Sequence, residues 1–220
     1  MKKTVIIAAA GMGNRLGAGK PKCLVQVNGH AIFEYLLKAF EWADEIRMVV
    51  GYNAEEVTSA VSSVNHNIKF IFNENYANTT TLQSNYLGCS MTDEKVLFID
   101  GDMIISHQGA KKLLQQYEMG DEFAGVTSDI SEDPVYAGVK KNQIEWFDYD
   151  RISDYEWANI ALLNANKLEY EPTHFFVQIE KYLPIKACEI ERLEIDTPFD
   201  LRHAESMIIA HPEKYDYWER

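Results

Sequence analysis

Cysteine is scarce in this chain. Cys23, Cys89 and Cys188 lie far apart in 220 residues, with no Cys-x-x-Cys pair. That count and spacing exclude a disulfide framework and a zinc knuckle, and point to reduced thiols in a cytoplasm. Long hydrophobic runs are missing too. No stretch approaches the roughly 18–20 apolar residues of a membrane-spanning helix. The N-terminal run Thr4–Ala10 ends in glycines and more cations, with no small-x-small cleavage site, so it does not read as a signal peptide. Positive charge is in deficit: 21 Lys and Arg face 34 Asp and Glu, a net charge of -13. A field of that sign repels nucleic acid and anionic membrane, so neither is an expected partner, and a phosphorylated ligand needs locally gathered cations or a metal. Low-complexity linkers and internal repeats are absent as well.

What is present suits a soluble cytoplasmic α/β protein. With 46% hydrophobic and 25% charged residues the chain can bury a sizeable core. Thr4–Ala9 is a continuous run of β-branched and small apolar residues, the pattern of a central parallel strand buried on both faces. Ile32 to Phe40 repeats at helical spacing, Ile46–Gly51 reads as a strand, and Val57 to Val64 as a helix. Ile68–Phe72 follows as a strand, Thr81–Met91 as a helix and Lys95–Asp100 as a strand closing in carboxylates. This alternation predicts an α/β, mostly parallel sheet with right-handed crossovers. Beyond about residue 121 the rhythm shortens. Phe123–Thr127, Val135–Val139 and Ile144–Phe147 read as antiparallel pieces that complete the sheet and wall a second pocket. The expectation is one domain over residues 1–220, with a first half to about 120 and a second half beyond it.

Four of the 12 glycines, Gly11, Gly13, Gly17 and Gly19, crowd into one loop with Arg15, Lys20 and Lys22, directly after the first strand. A dinucleotide fingerprint fails because Leu16 occupies its third glycine position. A Walker loop fails because Asn14 stands at its first glycine and Pro21 follows Lys20. What remains is a strand-to-loop junction where backbone N–H groups approach an anion closely among gathered cations, which suits a nucleoside triphosphate. Further along, Asp100-Gly101-Asp102 ends a buried strand at the sheet edge where ligands bind, and an oxygen-rich pair there suits magnesium.

Ala9 to Leu16 followed by Pro21-Lys22-Cys23-Leu24-Val25 resembles the signature of nucleotidyltransferases that make sugar nucleotides and CDP-alcohols. The resemblance implies a Rossmann-like sheet, with a nucleotide-binding half to about residue 120 and an acceptor-binding half over 121–220, and a loop wrapping the triphosphate at Ala8, Ala10, Gly11 and Gly13, with Arg15 on the phosphates and Lys22 near the α-phosphate. It implies Asp102 as a magnesium ligand, with Asp100 in support. Gly29-His30-Ala31-Ile32 sits where the family has Gly-x-Pro-Ile or Gly-x-Pro-Leu, with Ala31 in place of proline. Glu194-Ile195-Asp196 to Asp200-Leu201 resembles a segment of small choline-phosphate-type cytidylyltransferases, which makes Asp196 the second metal ligand and leaves Asp200 as either a ligand or a charge at the start of the closing helix.

The expected reaction joins CTP to a small phosphorylated alcohol or a phosphonate. The acceptor phosphate is already an anion, so no Ser, Cys or general base is required. The histidines, His30, His66, His107, His174, His203 and His211, form no triad. The Asn-rich loop 73–84 resembles that of choline-phosphate and methylerythritol-phosphate cytidylyltransferases and offers Thr80 and Ser84 to the cytosine edge, while Thr79 or Thr80 capping the next helix is the competing reading. Trp157 and His174 are candidates for the acceptor site, among aromatics that include Trp146, Tyr155 and Phe175 and could enclose a cation. A sugar-1-phosphate nucleotidyltransferase using UTP or dTTP, a glycosyltransferase with an Asp-x-Asp motif, and a nucleotide-sensing module are the alternatives. A homo-oligomer stays open.

Overall fold

A computed structural model describes residues 2–218 except His66, Met91 and Asp93. The histidine at 66 and the expected end of a helix at Met91 therefore lie outside the described residues. In chain order the elements are β1 (Thr4–Ala9), β2 (Gln26–Val27), β3 (His30–Ala31), α1 (Ile32–Ala39), β4 (Glu45–Val50), α2 (Ala54–Val64), β5 (Lys69–Phe72), α3 (Thr81–Gly88), β6 (Lys95–Asp100), β7 (Met103–Ile105) and α4 (His107–Met119). They continue with β8 (Phe123–Thr127), β9 (Tyr136–Lys140), β10 (Gln143–Asp148), β11 (Glu156–Asn164), α5 (Phe175–Glu180), β12 (Ile185–Glu189), β13 (Arg192–Glu194), α6 (Pro198–Ala210) and α7 (Pro212–Tyr215).

Nine strands form one sheet in the order β5-β4-β1-β6-β11-β8-β12-β10-β9. The first four run parallel, with β1 between β4 and β6. That position explains the apolar run Val5-Ile6-Ile7, which is fully buried because helices cover both faces of a parallel sheet. The second half is mixed: β11 is antiparallel to β6 and β8, β12 is parallel to β8, and β10 is antiparallel to β12 and β9. The chain is thus α/β, parallel on the glycine-loop side and largely antiparallel on the other.

Strand β11, nine residues long, has no counterpart in the periodicity reading, although it joins the two halves. Its ladder to β8 slips between Trp157 and Ala161, and Asn159 inside the slip takes φ +56°. Such a bulge interrupts the two-residue alternation from which strands are read.

A further strand pairing and a buried cluster build the floor of the site. β13 pairs antiparallel with β7, matching Glu194 to Met103 and Arg192 to Ile105. A buried cluster of Leu16, Val25, Val27, Ile32, Ile104, Leu193, Ile195, Ala204 and Ile208 ties the glycine loop to this ribbon and to α6. Helix starts are conventional. Ser106 accepts from Gly109 N at 3.0 Å for α4, and Thr197 with Asp200 forms a capping box for α6. Ala31 precedes α1 at φ -71°, already within the range of proline, and its N–H donates to Glu34 at 2.8 Å. No helix among the described residues is long and apolar enough to cross a membrane, and Cys23, Cys89 and Cys188 are buried free thiols.

Candidate active site

The carboxyl ends of β1 and β6 open onto a cavity of about 430 Å³. Ala8, Ala9, Gly11, Gly13, Asn14, Arg15 and Lys22 line one side, and Asp100, Gly101 and Asp102 lie below. In an open parallel sheet this edge is where ligands bind. Gly101 is required by packing, because a Cβ there would lie 2.9 Å from Ala8 O and 2.9 Å from Ala9 Cβ. Its N–H donates to Ala8 O at 2.8 Å, which fixes Asp102 against the start of the loop. Gly13 adopts φ +63°, and a Cβ on it would meet Lys22 Cγ at 2.6 Å, so the loop closes tightly over the lysine stem.

Lys22 enters from a short turn anchored by buried Cys23 and Leu24. Its ammonium donates to Asp102 Oδ2 at 2.9 Å and also to Asp196 Oδ1. Burial works against that charge, but Asp102 and Asp196 outweigh it and push the lysine pKa up. Arg15, mostly exposed, pairs with Asp196 Oδ2 at 2.6 Å. Two cations of the loop therefore meet two carboxylates that lie 80 and 174 residues beyond Lys22 in the chain.

A third carboxylate joins them. Asp102, Glu194 and Asp196 each offer an oxygen within 4.8 Å of the others. Asp102 Oδ1 is buried with no hydrogen-bond partner among the described residues. An all-oxygen donor set with an orphaned buried oxygen fits a hard divalent cation such as magnesium. Burial, then Asp102 and Glu194, push the Asp100 carboxyl well above its usual range. Burial likewise raises Glu194, against the pull of Arg192. Both shifts express a surplus of negative charge that a cation would relieve.

Glu194 and Arg192 escaped the sequence reading, yet a signal was there. In Arg192-Leu193-Glu194-Ile195-Asp196 polar and apolar residues alternate, the period of a strand. Leu193 and Ile195 are buried in the core, which directs Arg192, Glu194 and Asp196 toward the site. Asp196 is held by Asp200, whose Oδ2 accepts from Asp196 N at 3.1 Å and Thr197 N at 2.8 Å. Asp200 thus serves in the α6 cap, the second of the two places left open for it.

Other candidates are placed differently. Ala10 is buried and lies behind the cavity wall, its carbonyl accepting from Tyr52 N at 3.1 Å. Thr80 caps α3, and Ser84 is buried with its Oγ accepting from Asn73 Nδ2 at 3.1 Å. Neither lines the cavity; their neighbour Thr81 does. Lys20 lies outside it as well.

A second cavity of about 510 Å³ adjoins the first and shares Arg15, Trp157, Asn159, His174, Glu194 and Asp196 with it. Trp157 is buried and packs edge-on against Phe147 and Phe175 at ring separations of 5.8 and 6.0 Å. His174 stacks near Phe176 at 5.8 Å. Tyr149, Phe199 and the acidic loop 129–133 complete the mouth.

A family described as the MobA-like NTP transferase domain matches residues 5–149. Among curated relatives, the bifunctional protein GlmU of Aliarcobacter butzleri is 33% identical over 103 residues, 46% of this chain and 24% of its own length. GlmU of a Nitratiruptor species is 24% identical over 196 residues, 84% of this chain and 42% of its own. The chain spans less than half the length of these relatives. Among solved structures, CTP:phosphocholine cytidylyltransferase from Streptococcus pneumoniae (LicC) superposes with a TM-score of 0.77 at 20% identity, covering 94% of this chain and 100% of that one. The inositol-1-phosphate CTP transferase from T. maritima gives 0.76 at 16% identity, covering 94% and 96%. At these identities the likeness shows the fold.

Proposed function

The chain belongs to the MobA-like NTP transferase domain family, and from that premise we propose that it is a magnesium-dependent cytidylyltransferase joining CTP to a small phosphorylated alcohol or a phosphonate. The observation that carries this reading is the convergence of Lys22 and Arg15 from the glycine loop on Asp102 and Asp196 in one cavity. The products are a CDP- or CMP-linked compound and pyrophosphate.

In this reading the triphosphate lies along Ala8, Gly11 and Gly13, with the base end toward the start of α3 near Thr80. Arg15 and Lys22 neutralise its oxygens. The acceptor enters through the second cavity, between Trp157 and His174. An acceptor phosphate or phosphonate oxygen attacks the α-phosphorus in line. One P–O bond forms while the bond to the bridging oxygen breaks, and its electron pair leaves with pyrophosphate. The attacking oxygen carries its charge already, so no proton is removed. What the chain supplies is alignment and charge compensation. Asp102 and Asp196, with Glu194 beside them, would hold magnesium, which when bound neutralises phosphate charge. Lys22, spanning two of these carboxylates, shares that electrostatic role.

CTP is favoured by the resemblance of loop 73–84 to that of cytidylyltransferases, and two solved neighbours carry CTP in their names. A UTP- or dTTP-dependent sugar-1-phosphate enzyme is the second reading, favoured by a solved structure from Bacillus anthracis named as a glucose-1-phosphate thymidylyltransferase, with a TM-score of 0.78 at 16% identity, covering 94% of this chain and 95% of that one. Pyrophosphate release measured for four nucleotides against phosphocholine, phosphonates, polyol phosphates and sugar 1-phosphates decides between them. Turnover is expected with CTP; turnover confined to UTP or dTTP with a hexose 1-phosphate overturns the proposal.

A further inference from the structure

We propose that Arg192 is a positioning residue that couples the loop over residues 129–133 to the carboxylates that hold the metal; this rests on reading the second cavity as the acceptor site. The guanidinium sits between two acids. Its Nη2 donates to Glu156 Oε1 at 2.8 Å and lies 2.9 Å from Glu194 Oε2, with Arg192 and Glu156 side chains only 3% and 2% exposed. The far oxygen of Glu156 accepts from Ser131 N and from Ser131 Oγ, each at 2.9 Å. The near side of Glu194 faces Asp102 and Asp196, and its Oε1 accepts from Asn159 Nδ2 at 3.2 Å. Hydrogen bonds from Ser131 to Glu156 and from Arg192 to Glu156, then the Arg192–Glu194 ion pair, therefore connect the acceptor mouth to the metal carboxylates.

Stability does not call for this arrangement. Buried ion pairs and triads commonly exchange for packed apolar residues without loss, because desolvation offsets their attraction. Here the guanidinium also leaves its Nε buried and unpartnered among the described residues, a cost that a site selected only for stability would avoid. Its orientation is set by two carboxylates, Glu156 of the second cavity and Glu194, which the two cavities share. Asn159 sits in the same network in a left-handed conformation that a non-glycine residue adopts at a cost. An acceptor that moves Ser131 shifts Glu156, turns the guanidinium, and so moves the Glu194 carboxylate relative to Asp102 and Asp196. Acceptor binding and metal grip become one equilibrium.

The test compares Arg192→Lys, Ser131→Ala and the double variant with the unaltered chain. Two quantities are read: Mn2+ binding to the protein alone by electron paramagnetic resonance, and the acceptor KM and kcat. One nitrogen, Nη2, meets both acids; a lysine keeps the charge but, as a compact and strongly hydrated ammonium on a flexible stem, loses the planar guanidinium whose direction they fix. Arg192→Lys is expected to weaken Mn2+ about 10-fold, as changes to the groups that orient a metal's ligands do. Ser131→Ala, on an exposed loop distant from the metal in sequence, deletes one neutral-to-charged hydrogen bond and is expected to weaken Mn2+ about 3-fold while raising the acceptor KM. In the double variant the serine change should add nothing to the Mn2+ loss. Unaltered Mn2+ binding in Ser131→Ala, or additive losses in the double variant, overturns the coupling. If Arg192→Lys fails to fold, Ser131→Ala decides alone. Because Mn2+ binding needs neither nucleotide nor acceptor, it stands or falls separately from the choice of CTP.

Discussion

Asp102 and Asp196 reach the same lysine from 80 and 174 residues further along the chain, and their replacement separates charge from shape. Asp102→Asn and Asp196→Asn keep the volume of each side chain while removing a ligand charge. Turnover in steady-state kinetics should fall by at least about 100-fold in each, with circular dichroism unchanged; rates near those of the unaltered chain would sink the metal assignment. Arg15→Ala and Lys22→Ala should raise the nucleotide KM and lower kcat. A change confined to the acceptor KM would mean that the loop serves the other substrate. The glycine-loop cations and Asp102 could be singled out as candidates because each stands in a short polar stretch that directly follows a buried apolar strand, and the cavity places Arg15, Lys22 and Asp102 together. Glu194 and Arg192 were not, since a single acid beside a single base looks like an ordinary surface pair until the register of β13 with β7 turns both inward. Ser84 shows the opposite limit. Its pattern in sequence is polar, yet it lies inside, satisfied by Asn73.

Strand β4 carries a buried acid at its first position. Burial alone would raise the Glu45 carboxyl, but hydrogen bonds from Lys2, Lys69 and Arg47 prevail and hold it down at about 2, below its ordinary 4.5. A depressed carboxyl stabilises the fold fully above its unfolded pKa and loses that stabilisation as pH falls from about 4.5 through about 2. Glu45→Gln should therefore cost about 3 kcal/mol near neutral pH, because it leaves Arg47 buried without its acid, and should flatten the acid limb of the stability curve. Urea unfolding from pH 7 to pH 2 checks both; equal slopes for the two proteins would refute the role of Glu45. At the other side of the site, Thr197→Ala removes the α6 cap and should cost about 1 kcal/mol. Because Asp200 in that cap also holds the Asp196 backbone, the same variant should require more Mg2+ for half-maximal activity. A stability loss with an unchanged metal requirement would make the cap a helix stop and nothing more. The parallel elements were read from sequence with small boundary shifts, since buried strands and amphipathic helices obey fixed periods. β11 was not, because its bulge at Asn159 breaks the period where the two halves join.

Across the whole molecule, a nine-stranded sheet and a net charge of -13 surround the few cations gathered at the cavity. Most carboxylates lie apart from the site, so a polyanionic substrate is admitted by local arrangement and not by the overall field. Removing divalent ions with a chelator should abolish pyrophosphate release and lower the melting temperature measured with Mg2+ present, since the carboxylate cluster then keeps only Lys22 and Arg15 for compensation; activity that survives chelation would contradict the reading of the cluster. The ion pair between Lys22 and Asp196 has one more consequence, and it concerns time. The partners stand 174 residues apart. At roughly 5–20 residues per second on the ribosome, the lysine waits on the order of 10–35 seconds for its aspartate to be made. The glycine loop is therefore born before its counter-charges: Asp102 follows Lys22 by 80 residues, and the Asp196 partner shared by Arg15 and Lys22 is missing until the last ribbon is laid in. Synthesis itself keeps the site from being assembled early.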